Sequence, residues 1–148
     1  MGTYRSRKGN PGEFRAVGAS LTDLFETCAQ ATFDLLYDTS LVGFEREVSV
    51  VASGPDLEHL LAEWIGETVS LFEEKEFVPG DFIVVEVGLP TNRRYGDNDL
   101  IVRSAVRGRF LGEWFVDPGR RAMPIDAKDV RITSNRRKHT ADVRVTLR

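Results

Sequence analysis

Apolar residues recur at three- and four-residue steps from Leu21 to Leu36. Leu21, Leu24, Phe25, Cys28, Ala29, Phe33 and Leu36 share one face, and Thr22, Glu26, Gln30 and Asp34 the other. That is the period of an amphipathic helix. Ser20 ahead of it and Asp23 three residues on are placed as in a capping box. A second stretch of this kind follows "SGPD", which supplies a cap and a proline suited to a first helical turn. Its apolar positions are Leu57, Leu60, Leu61, Trp64, Ile65 and Leu71. Elsewhere the pattern is that of strands. "EFRAVG" (13–18), "REVSVVAS" (46–53), "FIVVEVGL" (82–89), "AKDVRI" and "ADVRVTL" read as strands, and "LIVRSAVRGRFLGE" (100–113) as a long strand or bent hairpin. "VPGD" breaks the second helix, "PTNRRYGDND" reads as a turn and "VDPGRRAMP" as a loop.

The order strand–helix–strand–helix, then a run of strands, predicts an α+β fold. Two helices pack on one face of a single, mostly antiparallel or mixed β-sheet. The opening "MGTYRSRKGNPG" lacks the apolar segment of a signal peptide. Residues 1–12 are read as a flexible leader and 13–148 as one domain, with no internal repeat or linker. A chain of 148 residues can bury a sizeable core. No apolar run approaches the roughly 20 residues that span a bilayer. The single cysteine, Cys28, allows no internal disulfide. A cytoplasmic location is the expectation.

The net charge of −3 conceals an asymmetry: residues 1–74 carry 5 basic and 13 acidic side chains, residues 75–148 carry 15 and 10. Arginines of the second half alternate with apolar strand positions. Arg103 and Arg107 share a face of the long strand, Arg131 lies between Val130 and Ile132, and Arg144 between Val143 and Val145. Within one sheet these four would share a face and, with the turn Arg136, Arg137 and Lys138, could meet phosphates. The same alternation describes a solvated face that charge protects from aggregation. No strand aromatic is placed to stack bases, so direct nucleic-acid binding is expected to be weak. Cys28 sits in the apolar stripe as a buried hydrophobe rather than an exposed thiolate. His59 has no second histidine or cysteine at ligand spacing. Asp97 and Asp99 start like a calcium loop but lack its glycine and distal glutamate, which leaves turn chemistry. No phosphate-binding loop, dinucleotide fingerprint or nucleophile elbow is present. Neither His59 nor His139 is placed by a motif for nucleophilic catalysis. The chain is not expected to be an enzyme.

Several stretches together resemble the archease family. "FRAVGASLTDLFETCAQATFDLLYD" is similar to that family's first strand and helix, and "DLEHLLAEWIGETVSLFEEKEF" to its second helix. "GEWFVDPGRR" resembles its Gly-Glu-x-Phe-Asp-Pro-x-Arg-His segment, with Gly112, Glu113, Phe115, Asp117, Pro118 and Arg120 matching around one inserted residue. The resemblance implies an accessory, chaperone-like protein of the GTP- and metal-dependent RNA ligase of tRNA splicing and RNA repair. The implied partner is that ligase or another RNA-processing protein, contacted through Glu113, Asp117, Arg120 and Arg121. The alternative is a divergent protein-binding scaffold that kept the fold and lost ligase activation.

The departures fall on the metal site the resemblance implies. Family members open the first strand with His-Thr-Ala-Asp, whose Asp is a ligand; here Pro11 stands there and Glu13 is the nearest carboxylate. Family chains end on an Asp and an aliphatic residue, where this one has Thr146 and the terminal Arg148. "MPIDAK" replaces a Lys-Ala-x-Thr-Tyr-His stretch, and Arg121 the histidine after the family's arginine. Glu13 and Arg148 are thus a degenerate site, and hard cations want about six oxygen ligands. Ca²⁺ or Mg²⁺ is expected to bind poorly. "HTAD" does occur, at His139–Asp142, but on the last strand, and is read as chance similarity.

Overall fold

The computed structural model describes residues 2–7, 10–88, 92–95, 98–101, 104–114 and 124–147. At 7, 10, 11, 41, 92–95, 98–101, 124–128, 146 and 147 it describes the backbone alone. Ser20 caps the first helix, α1 (Leu21–Leu36), by accepting from the Asp23 amide at 3.1 Å. Asp56 caps α2 (Leu57–Glu73) by accepting from the His59 amide at 2.9 Å, which leaves Pro55 ahead of the cap rather than in the first turn. The strands are β1 (Thr3–Arg7), β2 (Asn10–Gly18), β3 (Arg46–Gly54), β4 (Phe77–Gly88), β5 (Asn92–Tyr95), β6 (Asn98–Ile101), β7 (Ser104–Trp114), β8 (Pro124–Ser134) and β9 (His139–Leu147).

The fold is α+β and antiparallel, but the single expected sheet is two. One has the order β1-β2-β9-β8 and the other β3-β7-β4, while β5 and β6 form a separate hairpin. Both helices touch both sheets: α1 lies on β2 and β4, α2 on β3 and β8. The two sheets have one plan. In each, a strand runs into a helix and two further strands follow, the last in the centre: β2-α1-β8-β9 and β3-α2-β4-β7. The second unit is inserted into the first between α1 and β8. Ser20 and Asp56, the two caps, are 36 positions apart. Added at that offset, the buried Leu24, Phe25, Cys28, Ala29, Thr32, Phe33 and Leu36 give the buried Leu60, Leu61, Trp64, Ile65, Thr68, Val69 and Phe72. Gly18 and Gly54 obey it too. A Cβ on either would lie 2.6 or 2.8 Å from the helical amide of Leu24 or Leu60, so the strand ends can approach the helices only as glycine.

The core joins the two units through aromatic rings. Phe33 of α1 stacks on Phe82 at 5.2 Å, Phe82 meets Phe110 at 4.9 Å, and Phe110 meets Trp64 of α2 at 5.2 Å. Trp64 is fully buried and its indole N–H donates to the Phe25 carbonyl at 3.1 Å. Cys28 is buried, and burial pushes its thiol well above the usual range.

Three local expectations are corrected. The segment read as a leader contains β1, paired with β2, and the Tyr4 hydroxyl donates to Asp34 of α1. "VPGD" lies inside β4, where the register shifts between Pro79 and Asp81 and so tolerates the missing proline N–H. The turn at 90–99 contains β5 and the start of β6, and their hairpin takes in Leu100 and Ile101, read as the start of the long strand.

Candidate functional site

Strand alternation sends Phe14, Ala16, Ala141, Val143 and Val145 into the core and their neighbours outward. The outer face of the four-stranded sheet is therefore charged, in two rows fixed by register. One row reads Arg5, Arg15, Asp142, Arg131 across β1, β2, β9 and β8. The other reads Glu13, Arg144, Asp129 across β2, β9 and β8. Arg15 holds Asp142 through Nε at 2.7 Å and through a second nitrogen at 3.3 Å, which raises its pKa further. Arg144 lies 3.2 Å from Glu13 and 3.9 Å from Asp129. Arg5 and Arg131, in the outermost strands, have no ion pair with any described residue. These side chains line an open groove of about 640 Å³.

The expected phosphate face is divided. Arg131 and Arg144 share the groove, but Arg107 is on the other sheet, 3.4 Å from Glu86. Arg103 lies outside the described residues, as do Asp117, Arg120, Arg121 and Arg148. Of the family-like segment, Gly112, Glu113 and Trp114 are described. A Cβ on Gly112 would stand 2.1 Å from the Val78 carbonyl oxygen, so this glycine is required by the contact of β7 with β4. Glu113 is half-buried, and a Cβ on Gly43 would stand 2.6 Å from its Oε1.

The side chains described at the expected metal position do not suit a divalent ion. Glu13 is held by the Arg144 guanidinium, a fixed positive charge where the cation would sit. Among the described residues no three His, Cys, Asp or Glu converge as ligands. His139 and Asp142 are three positions apart on β9 and leave opposite faces. The His139 ring nitrogen meets the Ser134 hydroxyl at 2.8 Å, and Asp142 belongs to Arg15. His59 is exposed and meets Asp56 at 2.8 Å.

Sequence reasoning left Arg5 in a leader and singled out neither Arg15 nor Asp129. The alternation of "ADVRV" puts Asp142 on the face of Arg144, but only the pairing of β1, β2, β9 and β8 brings these residues together.

Two helices against two antiparallel sheets, with a charged outer face on the larger, define an α+β protein of interlocked strand–helix–strand–strand units. The sequence pattern of the archease protein family (MTH1598/TM1083) matches residues 12–128, and the chain belongs to that family. It is 42% identical over 74 residues to protein archease of Archaeoglobus fulgidus, covering 50% of this chain and 53% of that one. It is 40% identical over 75 residues to protein archease of Methanosarcina mazei, covering 51% of each. The matched stretch thus spans about half the length of these relatives. The solution structure of Methanobacterium thermoautotrophicum protein 1598 shares the fold, with a TM-score of 0.60, 22% identity and 98% of both chains covered. No helix among the described residues is long and apolar enough to cross a membrane.

Proposed function

We propose that the chain is a non-catalytic accessory protein that docks on a GTP- and metal-dependent RNA ligase of tRNA splicing or RNA repair. The family match over residues 12–128 carries this reading. A docking protein changes its partner's equilibrium only by binding two of its states unequally. The states here are the ligase before and after nucleotide loading. Glu113 and the Asp117, Arg120 and Arg121 stretch are the proposed contact residues, with Arg131 and Arg144 presented on the sheet face. Location in the cytoplasm accompanies this reading.

The ion pair of Glu13 with Arg144 favours a second reading, a scaffold that kept the fold and lost activation through the family's metal site. A turnover assay separates the two. Ligase from the same genome is given excess RNA ends, with and without this chain. Stimulated turnover is the expected result. A ligase that binds the chain without turning over faster would favour the scaffold.

A further inference from the structure

We propose that the outer face of the four-stranded sheet docks the protein partner, and that it takes a partner segment carrying two carboxylates about 14 Å apart. This rests on the reading of the chain as a protein-docking accessory. Charge is satisfied unequally across the groove. At its centre Arg15 is held by Asp142, and Arg144 lies between Glu13 and Asp129. At its two edges Arg5 and Arg131 are exposed and have no ion-pair partner among the described residues. Arg5 is moreover placed directly across from Arg15, a like-charge cross-strand neighbour whose own carboxylate partner, Asp142, lies on its far side in β9.

Arg5 and Arg131 are the ends of one row, three strand spacings apart, which is about 14 Å. An extended peptide spans the same distance between residues i and i+4. The centre of the groove decides what kind of ligand fits. Glu13 on β2 and Asp142 on β9 stand between Arg5 and Arg131, and Asp129 lies on β8 beside Arg131. A nucleic-acid strand carries a negative charge at every residue and would lay phosphates over these carboxylates. A protein segment can carry its acids at the two ends and neutral or basic residues between them. None of the described residues that line the groove is an exposed aromatic on which bases would stack.

The test uses short fluorescent peptides with two glutamates four residues apart, and their binding to the whole chain measured by anisotropy. A peptide with adjacent glutamates and a single-stranded oligonucleotide of equal length are the comparisons. The spaced peptide is expected to bind best, and less well as salt rises from roughly 0.05 to 0.5 M. Arg5→Ala and Arg131→Ala should each weaken it about two- to fivefold. Arg107→Ala, on the other sheet, should leave it unchanged. Arg131→Glu should recover binding when the facing glutamate of the peptide is replaced by lysine. Unchanged thermal midpoints keep these variants interpretable. Failure of every peptide to bind, indifference to glutamate spacing, or tighter and arginine-dependent binding of the oligonucleotide would each overturn the proposal. None of these outcomes depends on the ligase, so they are distinct from failure of the accessory reading.

Discussion

At the scale of single residues, the identity of one neighbour changes what a carboxylate can do. Glu13 beside Arg144 is an ion pair; with oxygen donors in place of the guanidinium it would be part of a cation site. No change in thermal midpoint is expected with millimolar Ca²⁺, Mg²⁺ or Mn²⁺. An ion at 100 times its dissociation constant would contribute about 2.7 kcal/mol, and so raise the midpoint by about 5 °C or more. Calorimetry with and without each ion is the check, and a rise abolished by Glu13→Gln would show a working site. Gly112 makes the opposite lesson, since a residue that looks like part of a chemical motif is held by packing. Gly112→Ala drives a methyl into the Val78 carbonyl. It should destabilise by about 1–3 kcal/mol in urea denaturation, as overpacking of a tight contact does. Burial of Cys28 and outward display of Arg131 and Arg144 were legible in the sequence, because periodicity assigns a side chain to a face. The neighbours of Arg144 were not, because only the register of β9 with β2 and β8 supplies them.

At the scale of elements, each helix lends a glutamate to a strand of the other unit. Glu26 of α1 accepts from the Val84 amide at 2.8 Å, and Glu58 of α2 from the Ile132 amide at 2.9 Å. Val84 lies where the register of β4 shifts against β7, and β4 and β8 are both edge strands, so these amides have use for an acceptor. Burial raises the Glu26 pKa above the usual carboxylate value, and nearby Asp23 and Asp81 add to it, while the Val84 bond lowers it. The folded state then favours the protonated form. The resulting penalty is complete above the raised pKa and fades as pH falls to the unfolded value of about 4.3. Glu26→Gln keeps an acceptor and removes the charge, so its stability relative to wild type should improve as pH rises from about 4 to 7. Urea unfolding at several pH values measures this. Glu26→Ala leaves the Val84 amide unanswered and should cost about 1–3 kcal/mol near pH 4, a cost that shrinks towards pH 7 because it too removes the penalised charge. Both helices were legible from caps and a sustained apolar stripe. β1, β5 and β6 were not, since charged, glycine- and proline-bearing stretches carry no strand period and form only by pairing.

At the scale of the molecule, one unit sits inside the other, and the helices hold both sheets at once. The repeat escaped sequence reading because it is kept in caps, glycines and burial rather than in residue identity. The division into two sheets escaped it because antiparallel pairing joins residues as distant as Glu13 and Arg144. The consequence is a molecule whose buried surface is spent on its own core, and whose larger sheet turns a patterned charge outward. If that face is for docking, its use must appear as unequal affinity for two partner states. The direct measurement is the dissociation constant of this chain for the RNA ligase proposed as its partner, taken by titration calorimetry before and after nucleotide loading. Affinities that differ by about fivefold or more are expected, with Arg5→Ala and Arg131→Ala weakening both. Equal affinity for the two states would contradict this, however tight the binding, because a ligand indifferent to two states shifts neither.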